Sequence, residues 1–248
     1  MRVASLYDIH GNLPALEAVL RDVRSASVDR IVVGGDIVPG PLPRETFDFL
    51  LQLDIPVDFI RGNGDRAVLD VMNGVEATSV PEHFRPLIRW TAEQLDESHK
   101  KVLESWPPTF RMNVGRVGQV LFCHATPESD MPIFSRMTSE EKLIPIFGGL
   151  DVDLVVCGHT HMQFDRTVGS VQVVNAGSVG MPFGKPGAYW LLLDSGVDLR
   201  RTDYDLESAA ARIKASSYPQ ADMFAEKNVL NPPSEETIIE AYSKIELK

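Results

Sequence analysis

The chain has 248 residues, 44% of them hydrophobic and 24% charged, the make-up of an ordinary globular protein with enough length for a stable core. No run approaches the ~18 apolar residues that a membrane helix needs, and the apolar start over residues 1–7 stops at Asp8, too short and too early for a secretory signal. A formal net charge of −11 lacks the basic footprint of a nucleic-acid binder; it disfavours that partner without removing it, because a local patch can defeat a global average.

Residues 2–7 predict a strand, and Leu13, Leu16 and Leu20 have the spacing of a helix over 13–25, capped by Asn12 with Pro14 in its first turn. The β-branched run from Arg30 predicts a second strand, 44–53 a helix and 56–61 a third strand. This alternation implies a mainly parallel sheet with right-handed crossovers. Residues 81–105 read as helical, ended by Pro107 and Pro108. Strands follow over 109–114 and 117–123, then a helix near 138–147, a strand over 153–157, a hairpin over 163–174 and a last strand pair over 188–203. From 205 to 248 the chain is polar and rich in Ala, Glu and Lys, which predicts a helical tail interrupted by Pro219, Pro232 and Pro233. The expected organisation is a main domain over 1–203 and a C-terminal extension over 204–248, open to self-association or to packing on the main domain. Cys123 and Cys157 lie in apolar runs and predict buried, reduced thiols in a cytoplasmic protein.

The informative pattern lies at the strand ends. Asp8 and His10, Asp36, Asn63, His124, and His159 with His161 each follow a predicted strand directly. Ligands of open α/β sheets bind outside the carboxyl ends of the strands, so five strand ends deliver these side chains to one rim. Asp8 and His10 are two residues apart, as are His159 and His161, and an extended backbone would point each pair the same way. Each patch alone reads more readily as a turn or a surface triplet; their ordered coincidence is the signal. Imidazole mixed with carboxylate suits Mn, Zn or Fe better than Mg or Ca. Seven ligands exceed one tetrahedral site and suit two metals sharing a carboxylate, with Asp36 as the bridge. Two dications against Asp8 and Asp36 leave about +2, the local positive charge a phosphate needs on an acidic protein. His83 and His99 follow no strand and are expected at the surface.

These motifs, Asp8-Ile-His, Gly35-Asp36, Gly62-Asn63, Cys123-His124 and Gly158-His-Thr-His, resemble the calcineurin-like metallophosphoesterase family over residues 1 to about 203. Asn175-Ala-Gly-Ser-Val-Gly also resembles that family's closing loop near the site. The resemblance implies an α/β fold, a four-layer α/β/β/α sandwich of two mixed sheets flanked by helices. It implies one divalent metal held by Asp8, His10 and His161 and another by Asn63, His124 and His159, with Asp36 bridging. Manganese is the first expectation and Zn or Fe the alternatives. The implied reaction is hydrolysis of a phosphate ester, on a small molecule or nucleotide, by a metal-bound hydroxide. Asp36, Asn63 and His124 are the implied catalytic residues.

Two positions depart from the family pattern. Many members carry His after the motif Asn, where it is thought to protonate the leaving oxygen; here it is Gly64, and Asp65 beside it could serve only with a raised pKa. General acid catalysis is worth ~10²–10⁴-fold, so its loss favours good leaving groups, in diesters or anhydrides. Tyr7 stands where a small hydroxyl residue is more usual, either reaching the site or packing. Arg61 and Arg66 flank the Asn63 motif, with a surface salt bridge the expectation for Arg61. Segment 126–134 should lie over the pocket and 81–105 should form its rim, Trp90 and Trp106 being candidate walls or ordinary core. The runner-up is a phosphomonoesterase or serine/threonine protein phosphatase. The rival of another class is a non-catalytic scaffold such as the retromer small subunit, which an intact ligand set disfavours.

Overall fold

The structure, a computed structural model, describes residues 1–247; Lys248, the end of the expected extension, lies outside the described residues. Two five-stranded mixed sheets face each other. The first contains β1 (Val3–Leu6), β2 (Arg30–Val33), β3 (Val57–Phe59), β9 (Ala188–Leu193) and β10 (Val197–Thr202), in the order β10-β9-β1-β2-β3. The second contains β4 (Thr109–Val114), β5 (Gly118–Cys123), β6 (Leu154–Cys157), β7 (Phe164–Val168) and β8 (Val171–Asn175), in the order β4-β5-β6-β8-β7. β1, β2 and β3 are parallel, as are β5, β6 and β8, and antiparallel hairpins close the edges.

Side-chain alternation along the strands explains the layering. In β1 and β2, Ala4, Leu6, Ile31 and Val33 pack outward, beneath helices α1 (Leu13–Ser25) and α2 (Pro43–Leu51), while Val3 and Val32 pack between the sheets. In β5 and β6, Val120, Phe122, Leu154 and Val156 enter the same middle layer. Leu121, Cys123, Val155 and Cys157 face the other way, toward α6 (Glu140–Phe147). Both thiols are buried and free. The result is the expected four-layer sandwich. No helix among the described residues is long and apolar enough to cross a membrane.

Three differences from the sequence reading have local causes. The helical region 81–105 is a 3₁₀ turn (Glu82–Phe84), α4 (Arg85–Gln94) and α5 (Glu97–Ser105). Asp96 makes the break, accepting from the N–H groups of Ser98 and His99 as the cap of α5. His99 is therefore not a surface residue: it is buried, its ring against Phe47, its nitrogens on Asp48 and Asp96. Finally α3 (Asn63–Met72) begins at a stretch that reads as a turn; Asp65 sits in its first turn and accepts from Gly62 N–H, one half of a capping box, since glycine has no side chain to return the bond.

The tail is helical: α7 (Leu206–Lys214), α8 (Ala221–Phe224), a π-helical segment (Ala225–Leu230) and α9 (Glu235–Ser243). It has a small core of its own around Ile213, Phe224 and Val229. It reaches both halves of the sandwich: Arg212 pairs with Glu17 on α1, and Glu246 with Lys142 on α6.

Candidate metal centre

The rim above the parallel strand ends is built from strained backbone. Seven non-glycine residues have positive φ among those described, and five are Asp8, His10, Asp36, His159 and His161. The expectation that an extended backbone aims the paired ligands is thus corrected: each pair is left-handed at both of its members. Such conformations cost of order 1–3 kcal/mol each and persist only where surrounding contacts over-determine them. Those contacts are present. The N–H groups of Asp8, His10 and Gly11 donate to the carbonyls of Gly35, Asp36 and Ile37, sewing the loop after β1 to the loop after β2. Ser178 Oγ donates to the Asp8 carbonyl, and Asn175 Nδ2 to the Gly158 carbonyl, so the end of β8 and the loop after it lock the segments that follow β1 and β6, the central strands of the two sheets. Close approach also dictates two glycines: a Cβ at Gly62 would stand 2.3 Å from Asp36 Oδ1, and one at Gly158 2.5 Å from Asp8 Oδ2.

The side chains converge. Asp8, His10 and His161 form one group whose donor atoms lie within 4.8 Å of one another, and Asp8, Asp36 and His124 form a second. Asp8 is common to both, and Asp36 lies between their histidines, its Oδ2 3.8 Å from His10 Nε2 and its Oδ1 3.6 Å from His124 Nε2. Asn63 Oδ1 is 2.9 Å from His124 Nε2. His159 is set apart from the two groups, its ring edge-on to His124 at 5.1 Å between centroids.

Every imidazole is held from behind by a backbone carbonyl: His10 Nδ1 by Pro39, His124 Nδ1 by Gly34, His159 Nε2 by Met131 and His161 Nδ1 by Met181. A carbonyl only accepts, so that nitrogen carries the proton, and the other nitrogen of a neutral ring presents a lone pair. While His10 and His161 are both neutral, those lone pairs face each other across 3.2 Å. Asp8 Oδ1 is buried and has no hydrogen-bond partner among the described residues, with His161 Nε2 3.4 Å away, although Oδ2 accepts from His159 N–H. Acceptors facing acceptors, and an orphan carboxylate oxygen, are costly arrangements that a cation between them turns favourable. The donor set therefore fits divalent metals.

Protonation follows the same field. Burial works to raise the Asp8 carboxyl, but the charges of His161, His124 and His10 override it and hold it well below the usual carboxylate range. Burial opposes charge on His124 and His161, yet facing Asp36 and Asp8 outweigh it and raise both. His10 is lowered, chiefly by burial.

Asp65 does not face this cluster as a donor. It is fully buried; Oδ1 accepts from Ile37 and Val38 N–H and Oδ2 from Gly62 N–H. Burial and nearby Asp36 push its carboxyl up to about 7, but both oxygens are engaged in holding the loop after β2 against α3. Tyr7 packs: its hydroxyl donates to the Val156 carbonyl between the sheets. Arg66 makes a two-pronged contact with Asp130, whereas Arg61 has no carboxylate partner among the described residues and borders a cleft with His124. The expected salt bridge at Arg61 is thus not formed.

On its other side the centre opens into a slot of about 390 Å³ that includes His10, Asp36, Asn63 and His159. Segment 126–134 supplies Met131 and Ile133 to it, and α4 supplies Leu87 and Ile88. The tryptophans are not its walls: Trp106 is buried and stacked on Phe59, and Trp90 packs edge-on to Tyr218. Sequence reading missed the outer wall, formed by Tyr218, Met223 and Phe224 of the tail.

The chain belongs to the calcineurin-like phosphoesterase superfamily, whose domain matches residues 1–196. It is similar to an uncharacterized protein of Methanocaldococcus jannaschii, 27% identical over 239 residues that cover 88% of this chain and 94% of that protein. Among solved structures it resembles a metallophosphoesterase from Sphaerobacter thermophilus, at 26% identity and TM-score 0.71 over 92% of this chain and 99% of the other. A hypothetical protein from Pyrococcus horikoshii shares the fold at 21% identity and TM-score 0.79, over 94% and 99% of the two chains.

Proposed function

We propose that this protein is a phosphoesterase that works with two divalent cations, manganese first among them, and hydrolyses phosphodiesters or phosphoanhydrides. The observation that carries this reading is the carbonyl-anchored set of four imidazoles around two buried carboxylates, one with an orphan oxygen. Asp8, His10 and His161 would hold one cation and Asn63, His124 and His159 the other. Asp36 would offer an oxygen to each. Such cations, when bound, supply charge for the phosphoryl oxygens and a water acidic enough to act near neutral pH. The chain's own residues fix the geometry beforehand through the locked strand ends, so little reorganisation accompanies reaction.

The preference for diesters or anhydrides rests on the lack of a proton donor. Gly64 has no side chain, and the oxygens of Asp65 are engaged by backbone N–H groups. Apart from His10, Asp36 and His159, the described slot lining holds no Asp, Glu, His, Lys or Arg. A leaving group that needs protonation forgoes ~10²–10⁴-fold in rate. The test compares bis(p-nitrophenyl) phosphate with p-nitrophenyl phosphate on manganese-loaded protein, beside a chelated control. Metal-dependent turnover of the diester well above the monoester is expected. Faster monoester turnover overturns the leaving-group argument and favours the phosphatase; no turnover of either counts against the enzyme.

A further inference from the structure

Of the large hydrophobic side chains that the fold leaves exposed, Phe84, Met131 and Met223 all border the slot beside the centre, at 43, 39 and 50% exposure. They come from three separate elements, the 3₁₀ turn before α4, the loop after β5 and α8. Exposed apolar side chains scattered singly need no explanation, but a cluster drawn together from distant sequence and continuous with a polar centre does. Leu87, Tyr218 and Phe224 extend the same surface inward. The oxygens of Thr91 and Gln220 on this wall are themselves covered, so the surface facing the slot is mostly carbon and sulfur.

Gly64 makes the surface reachable. It lines the slot directly between Asp36 and Pro39: a Cβ there would stand 2.7 Å from Pro39 Cγ and 3.0 Å from Asp36 Oδ1. A side chain at this position would crowd Pro39 and Asp36 and take up room in the slot. Its absence leaves the centre and the apolar walls in one volume, of the size usual for small-molecule sites.

We propose that the slot is a specificity pocket for an apolar arm of the substrate, so that the protein acts on phosphodiesters or phosphoanhydrides that carry such an arm, with the C-terminal extension supplying the wall that selects them. This rests on the phosphoesterase reading for the position of the phosphate. Charged arms find no matching partner, because the lining beyond the centre has no charged side chain among the described residues, and its neutral polar groups, such as Ser79 and Tyr218, are set among a larger apolar surface. Three methionines, Met131, Met181 and Met223, give the wall flexible and polarizable surface that accepts varied apolar shapes.

The test measures binding of two non-hydrolysable phosphonates to the manganese-loaded full chain by titration calorimetry. Methylphosphonate carries the head alone; 1-naphthylphosphonate adds an apolar arm. We expect the naphthyl compound to bind at least ~30-fold more tightly, from the apolar area it buries. The double substitution Phe84→Ser, Met223→Ser changes two exposed residues and should reduce that ratio to within ~3-fold while leaving methylphosphonate affinity unchanged. Equal binding of both phosphonates by the native chain, or an unchanged ratio in the variant, overturns the proposal. Failure of both to bind loaded protein would instead count against the phosphoesterase reading. The neutral fluorophore N-phenyl-1-naphthylamine then reads the slot alone: enhancement that the double substitution removes upholds an apolar site, and no enhancement overturns it.

Discussion

At Arg61 a half-buried guanidinium without a carboxylate partner among the described residues borders the cleft on the His124 side of the centre. A charge-assisted contact to a substrate oxygen there is worth ~1.5–3 kcal/mol. Arg61→Ala should therefore raise KM for a phosphodiester roughly tenfold or more and change kcat little; an unchanged KM would remove Arg61 from substrate binding. Gly64 gives a second prediction. Because a Cβ there crowds Pro39 and Asp36, Gly64→His alone should lose activity on every ester, whereas Gly64→His with Pro39→Gly should gain on the monoester. If the double variant gains nothing, the missing acid does not set the substrate preference. That the seven expected ligand positions gather at one rim was legible because each is a distinctive residue type after a strand, and the strands were legible from their apolar runs. Their anchors were not. The carbonyls of Gly34, Pro39, Met131 and Met181 carry no signal of residue type, and the left-handed turns at Asp8 and His161 leave none beside them.

At the scale of elements, two polar contacts decide where helices and loops stop. His99 ties α5 to α2 through Asp48 and fills space against Phe47, so His99→Ala should cost ~2 kcal/mol in urea unfolding with metal binding unchanged. A cost below ~0.5 kcal/mol would return His99 to the surface role its sequence position suggested. Arg66 on α3 grips Asp130 and so fixes the loop that brings Met131 to His159. Burial works to raise the Asp130 carboxyl, but Arg66 prevails and holds it below the usual range. A carboxyl depressed in the folded state contributes stability above its unfolded pKa of ~3.9 and loses it as pH falls through the folded value. The stability difference between the native chain and Asp130→Asn should therefore be constant near neutrality and shrink below about pH 4. A gap that widens on acidification would contradict the ion pair. The helix break at Asp96 and the start of α3 were hard to read for one reason: short polar stretches serve equally as turns and as caps.

Across the whole molecule, the tail is the part least legible in sequence and the part to which the proposed pocket assigns specificity. Its helices were readable from composition, but its docking was not, since it depends on contacts such as Arg212 with Glu17 that join distant sequence. We propose that residues 204–247 fold with the sandwich as one cooperative unit, visible as a single thermal transition. Two transitions would make the extension a separate body. Metal should stabilise that unit: at 100 times its Kd, a cation adds about 2.7 kcal/mol, so chelation should lower Tm by several degrees. The central claim is that Asp36 joins two metal sites in one centre. The most direct measurement is manganese stoichiometry after equilibrium dialysis, on the native chain and on Asp36→Asn. Two ions per native chain, with the loss of at least one in the variant, is the predicted result. One ion or none in the native chain, or two ions retained without the Asp36 carboxylate, would contradict the account.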